Sequence, residues 1–257
     1  MSKFTFASWN VNGIRAISRK GFYEWLDDHR PDFLGIQETK ISADQLVDEL
    51  SAPPGYTSYW SHAEKRGYSG VALFVREKPI SVSQSIGNPK FDTEGRTLVA
   101  DYGDFVLMTI YYPNGKMSPE RLQYKLDFYN AFLEFAEGLR KQGKKLIICG
   151  DFNTAHKEID LDSPKRNVGI SGFLPVEREW MDKFVSHGYT DTFRVVNAEP
   201  KNYTWWHVMT GARKRNVGWR IDYFFLTPDL LKQLDHASIE SHVMGSDHCP
   251  VTLTLNV

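Results

Sequence analysis

Short apolar runs recur along the whole chain, and several of them end on a polar side chain. "FTFASWN" from Phe4 ends in Asn10, and "FLGIQE" from Phe33 ends in Glu38. "LMTIYYPN" ends in Tyr111, Tyr112 and Asn114, and "LIICGDFN" ends in Asp151 and Asn153. "GVALFV" from Gly70, "TLVADY" from Thr97, "IDYFFL" from Ile221 and "VTLTLNV" from Val251 have the same make-up. Runs this short, rich in β-branched and aromatic residues and bounded by Gly, Asn, Asp and Pro, read as strands. The two runs on either side of "YGDF" (102–105) read as a hairpin, so antiparallel pairing is expected.

Two helical patterns lie between them. In "SPERLQYKLDFYNAFLEFAEGLRKQGKK", Ser118 is placed to cap a helix and Pro119 to occupy its first turn. Leu122, Leu126, Tyr129, Phe132 and Leu133 form an apolar stripe, and Gly143 stops it. "LPVEREWMDKFVSHG" from Leu174 is the second pattern. Many strands mixed with helices imply sheets covered by helices, and two stacked mixed sheets would use this many strands. A length of 257 residues suits one such α/β domain spanning 1–257.

Composition narrows the class. No apolar run reaches about 18 residues, so no membrane span is expected, and "MSKFTFASWN" lacks the apolar core of a signal peptide. Cys149 and Cys249, both in apolar surroundings, read as small core residues of a cytoplasmic protein. The net charge of −1 excludes a uniformly basic surface. It leaves room for a local basic face, and Lys65–Arg66 and Lys214–Arg215 are the candidates.

Stacked sheets containing both chain directions can bring the polar strand ends to one edge. That edge would hold Glu38, Asp151 and Asp247, the amides of Asn10 and Asn153, His248 and Tyr111, with Asp222, Asp247 and His248 at strand beginnings. Each of these alone is an ordinary turn residue; their joint occurrence carries the argument. Clustered carboxylates repel one another unless a cation shares the site. Oxygen donors without thiolates suit Mg²⁺ or Mn²⁺, and a hard ion held by few carboxylates suits phosphodiester hydrolysis.

The motifs "SWNVNGIRA", "LGIQETK", "GYSGVAL", "DTEGR", "YYPNGK", "GDFNTAHKEIDL", "GFLPVERE", "YTWW", "NVGWRIDYFF" and "GSDHCPV" occur in this order over nearly the full length. In them the chain resembles the exonuclease III-type apurinic/apyrimidinic (AP) endonucleases of the DNase I-like superfamily. The resemblance implies a four-layer α/β sandwich, two mixed sheets face to face with helices outside. It also implies Mg²⁺-dependent incision of double-stranded DNA 5′ to an abasic site, leaving a 3′-hydroxyl, with accompanying 3′→5′ exonuclease or 3′-end repair.

The site residues follow from the same resemblance. Glu38 and Asp151 would hold the metal, with Asn10, Asn153, Asp247 and His248 around it. Asp151, helped by Asn153, would position or activate water. His248, oriented by Asp222, would bond a phosphate oxygen. Tyr111, aligned by Pro113 and Asn114, would bind the phosphate or stabilise the leaving oxygen. Trp205 and Trp219 would line the pocket for an extrahelical abasic sugar, with core packing as the plain alternative. Met209 and Lys116 would approach the distorted duplex.

Two rivals remain at this level: a phosphodiesterase or phosphatase of the superfamily with a non-DNA substrate, and a non-catalytic nucleic-acid-binding regulator. The intact Glu38, Asp151, Asn153, Asp222, Asp247 and His248 speak against the second. The first motif starts by residue 8, so a minimal monomeric nuclease without an N-terminal redox or targeting extension is expected.

Overall fold

The computed structural model describes residues 3–116 and 118–256; Val257, which closes the last apolar run, lies outside them. The strands are β1 (Lys3–Asn10), β2 (Phe33–Gln37), β3 (Thr57–Ser61), β4 (Val71–Val75), β5 (Ser81–Ser83), β6 (Thr97–Asp101), β7 (Val106–Tyr111), β8 (Leu146–Asp151), β9 (Thr190–Asp191), β10 (Asp222–Leu226), β11 (Leu234–Ile239) and β12 (Val251–Asn256). They form two six-stranded sheets, ordered β11-β12-β1-β2-β4-β3 and β5-β6-β7-β8-β10-β9. Both are mixed: β1–β2 and β7–β8 run parallel, and the other pairs are antiparallel.

Apolar residues of both inner faces meet between the sheets. Phe6, Phe33, Leu73 and Leu253 come from the first, and Leu98, Leu107, Ile147 and Phe224 from the second. Trp9, Phe22, Trp25, Ile36 and Phe74 fill the outer face of the first sheet under the helix Phe22–His29. Met108, Ile148, Phe152 and Phe225 fill that of the second, under the helices Pro119–Lys141 and Pro175–Ser186. The result is the expected sequence of four layers, helix, sheet, sheet, helix.

The long helix begins as its sequence dictates: Ser118 Oγ accepts from Arg121 N at 3.3 Å, and Pro119 sits in the first turn. Its buried face differs from the apolar stripe. Phe128 is fully buried, Leu122 and Leu126 are half-buried, and Lys125 is enclosed. Lys125 can face inward because its Nζ lies 2.6 Å from Glu177 Oε1 and also donates to Thr154 Oγ1 and the Asn153 carbonyl, both at 2.8 Å. A buried charge with every proton bonded escapes most of its desolvation penalty.

The sheet pairing sets one polar edge. Asp151 is flanked in register by Tyr111 on one side and Asp222 on the other. Asn10 ends β1 beside Gln37, and Glu38 follows β2. Asp222 begins β10, whereas Asp247 and His248 lie in the loop that leads into β12. Gly150 permits the parallel approach of β7 and β8: a Cβ there would sit 1.9 Å from the Ile110 carbonyl oxygen, and its φ is +140°.

Candidate active site

The site is built on strand ends, which are held by the ladders, and on loops tied to one another. Trp205 and Trp219 exchange backbone hydrogen bonds at 2.8 and 2.9 Å, Trp206 N donates to Asp247 O at 3.0 Å, and Cys249 N donates to Thr204 O at 2.9 Å. These bonds bring "YTWW", "GWRID" and "SDHC" together.

At the centre, Asn10 Nδ2 donates to Glu38 Oε1 at 2.8 Å and to Asp151 Oδ2 at 2.9 Å. Asn153 N donates to Asp151 Oδ1 at 2.7 Å, and its Nδ2 lies 3.3 Å from Asp151 Oδ2. Glu38 and Asn153 both adopt the left-handed region, with φ of 56° and 51°. For Glu38 that is an uncommon conformation, of the kind found at functional sites.

His248 is buried. Its Nδ1 lies 2.8 Å from Asp222 Oδ2 and its Nε2 3.9 Å from Asp151 Oδ2. Burial alone would strip the imidazole of its second proton; Asp222, with Asp151 and Asp247, reverses this and holds the pKa at about 10. Asp151 is pushed up to about 7, first by burial and then by the neighbouring charges of Asp222 and Glu38, against the pull of His248. Burial would raise Glu38 too, but Lys40, 2.7 Å away, and Asn10 bring it below the usual carboxylate value.

Tyr111 presents a protonated phenol. Burial and the Glu38 charge raise its pKa well above 10. Arg96 supports it: the guanidinium lies 4.8 Å from the ring centroid and donates to the Tyr111 carbonyl at 3.0 Å. Glu94 in turn holds Arg96 at 2.6 Å and Arg121 at 3.0 Å.

These groups open into a pocket of about 320 Å³. Trp205 and Trp219 wall it, half-buried and edge to face, with ring centroids 6.3 Å apart. Asp247 anchors the first wall by accepting from Trp205 Nε1 at 3.0 Å. Gly172 supports the second: a Cβ there would come within 3.1 Å of the Trp219 ring. Core packing of Trp219 against Phe173, at 6.3 Å, holds it without burying it.

The structure thus gathers Asn10, Glu38, Tyr111, Asn114, Asn153, Asp222, Asp151, His248, Trp205, Trp219, Asp247 and Lys116 at one mouth. Met209 stands apart on the exposed turn Val208–Thr210, 87% accessible. Within the cluster, Glu38, Asp151 and His248 each offer a ligand atom within 4.8 Å of the others. His248 Nδ1 is taken up by Asp222, and Glu38 and Asp151 supply the oxygen donors, the type that fits a hard divalent ion. Asn10 turns its nitrogen toward the carboxylates while its Oδ1 accepts from Asn12 N at 3.0 Å. Asn153 Oδ1 accepts from Asn114 Nδ2 at 3.0 Å. Both amides therefore orient the carboxylates, and Asp247 lies against Asn12 and Trp205.

Sequence reasoning did not single out Asn12, Lys40, Arg96, Lys125, Glu177 or Thr204. Arg96 sits inside "DTEGR" and Glu177 inside "GFLPVERE", but their partners are distant in sequence.

A model described as "Endonuclease/Exonuclease/phosphatase family" matches residues 7–248. The chain belongs to this family. Its similarity to individual members runs along nearly all of this chain. It is 43% identical to the exodeoxyribonuclease of Bacillus subtilis (strain 168) over 252 residues, 97% of this chain and 98% of that one. It is 42% identical to the DNA repair nuclease APEX1 of Danio rerio over 253 residues, 97% of this chain and 81% of that one. Among solved structures, an AP endonuclease from Archaeoglobus fulgidus superposes with a TM-score of 0.89 at 26% identity, covering 99% of this chain and all of that one. Family membership and fold agree with the resemblance. Among the described residues no helix is long and apolar enough to cross a membrane.

Proposed function

We propose that this family member is a DNA repair nuclease that hydrolyses the phosphodiester 5′ to abasic sites in double-stranded DNA, leaving a 3′-hydroxyl. The observation that carries the reading is the His248–Asp222 pair set beside Asp151 in a pocket walled by two tryptophans. The relatives named for exodeoxyribonuclease, DNA repair nuclease and AP endonuclease activity support it.

The residues act as follows. His248 Nε2–H and the Tyr111 phenol donate to phosphate oxygens as negative charge grows in the transition state. Asp222 fixes the imidazole and keeps its Nδ1 proton in place. Asp151, aligned by Asn10 and Asn153, accepts a proton from the attacking water. Water oxygen bonds to phosphorus, the P–O3′ bond breaks, and the released oxygen takes a proton from solvent water to become the 3′-hydroxyl. Mg²⁺ or Mn²⁺ held by Glu38 and Asp151 would offset charge on the phosphate.

Trp205 and Trp219 supply selectivity. A nucleotide without its base costs little to extrude, and two indole walls accept a bare, partly apolar sugar. All these groups come from one chain, so a monomer suffices. Two buried free cysteines suit the reducing cytoplasm.

The test is a duplex with one tetrahydrofuran abasic analogue, incubated with Mg²⁺ or with EDTA. The analogue cannot undergo β-elimination, so a single Mg²⁺-dependent nick with a 3′-hydroxyl supports hydrolysis. An intact duplex sinks the reading.

A further inference from the structure

Among the described residues, the hydrolytic roles leave the pocket cation Lys116 without a task. Lys116 stands at the rim, and its Nζ lies 5.0 Å from the Trp205 ring centroid and 5.8 Å from that of Trp219. Lys40, which also lines the pocket, is tied by Glu38 Oε2 at 2.7 Å and Asn12 Oδ1 at 2.5 Å. Lys125 is sealed beneath the loop by Glu177 and Thr154. Among the described residues, no carboxylate pairs with Lys116 Nζ, and the hydrogen bond its loop makes uses the backbone N–H, to Asn114 Oδ1 at 2.9 Å.

The chemistry of that position is distinctive. Indole faces attract an ammonium but offer no oxygen to hold its protons. The residue is exposed overall, yet its amine end has lost water over the two rings. That loss lowers its pKa below the usual lysine value, against the raising pull of Asp151 and Glu177. A larger share of neutral amine is a better nucleophile. The amine is also placed where an abasic sugar would sit. An open-chain abasic deoxyribose carries a free aldehyde at C1′, which an intact nucleotide lacks.

We infer that Lys116 Nζ forms an imine with C1′ of a ring-opened abasic deoxyribose seated between Trp205 and Trp219. The inference rests on the abasic substrate proposed above. The amine lone pair adds to C1′, and the carbonyl oxygen becomes a hydroxyl. That oxygen then leaves as water, carrying both amine protons, and a C=N bond remains. Nothing is oxidised or reduced, and water reverses the bond. The imine thus holds the aldehydic form in the pocket and distinguishes it chemically from any sugar that keeps its base.

Borohydride trapping tests this. The full-length protein is mixed in EDTA with a duplex bearing a natural abasic site, generated by uracil excision, and with the tetrahydrofuran duplex as control. Sodium borohydride reduces an imine to a secondary amine that survives a denaturing gel. The expected result is a protein–DNA adduct with the natural site alone, mapped by peptide mass to Lys116, and its loss in Lys116→Arg. A thermal melt of the variant checks its fold, and the peptide map of the wild-type adduct tests the assignment without it. Absence of an adduct, or an adduct mapped to another amine, overturns the inference. The two readings fail separately. A tetrahydrofuran duplex nicked with Mg²⁺ but no adduct from the natural site removes the imine and leaves the hydrolase. An adduct at Lys116 with no nick does the reverse.

Discussion

Asn10 ends a strand of one sheet and Asp151 a strand of the other, and 2.9 Å separates Asn10 Nδ2 from Asp151 Oδ2. The same nitrogen lies 2.8 Å from Glu38 Oε1. One amide therefore spans the seam between the sheets and holds two carboxylates at a shared edge. The face-to-face packing of the sheets is what converts scattered strand-end residues into a site.

The His248–Asp222 pair gives the first prediction. Asp222→Asn keeps the shape but removes the charge that holds the imidazolium, 2.8 Å away. We expect kcat on a tetrahydrofuran duplex to fall by about 100-fold or more, with duplex affinity changed little. A loss below about threefold, ~0.6 kcal/mol, would show that Asp222 does not act through His248.

Selectivity is expected to reside in the pocket walls. Trp219→Ala, and Trp205→Ala to a lesser degree, should lower incision at the abasic site while Mg²⁺ affinity, read by titration calorimetry, stays close to wild type. The deciding quantity is the ratio of kcat/KM on the abasic duplex to that on the same duplex with a normal nucleotide. If both variants keep the ratio and the abasic rate within about twofold, ~0.4 kcal/mol, the indoles only pack.

Away from the site, Asp160 makes acid stability measurable. It is buried, which by itself would raise its pKa; Arg220 at 2.8 Å and Arg194 at 2.7 Å overcome this and hold it at about 2. A depressed carboxyl stabilises the fold above its unfolded value, 3.8, and that stability is lost as pH falls toward 2. The shift corresponds to about 2 kcal/mol. Asp160→Asn should be less stable at pH 7 by at least that amount and should depend less steeply on pH between about 4 and 2. Urea unfolding at stepped pH reads both; parallel curves for variant and wild type would exclude the role.

The strands that sequence revealed and those it hid differ in position. Eight apolar runs mark β1, β2, β4, β6, β7, β8, β10 and β12, all interior to their sheets. The four missed, β3, β5, β9 and β11, are the sheet edges. An edge strand has a free side, and "TSYWS" and "LDHASI" mix polar residues into it so that no continuous apolar run stands out. The strand-end acids and amides were legible because they break apolar runs. The direction of the Asn10 and Asn153 amides was not, since it depends on partners brought in from the other sheet or from the loop at Asn114. Lys125 and Glu177 look like surface charges in sequence; they pair at 2.6 Å with both side chains fully enclosed.

The central claim is that Asp151 is where the chemistry happens, and one comparison tests it most directly. The single-turnover rate on a tetrahydrofuran duplex with saturating Mg²⁺ is measured for wild type and Asp151→Asn, with Kd for the same duplex measured alongside. For Asp151→Asn we expect a rate lower by about 10³-fold or more at a Kd within about threefold of wild type. An Asp151→Asn rate within about tenfold of wild type, under ~1.4 kcal/mol of barrier, would contradict it.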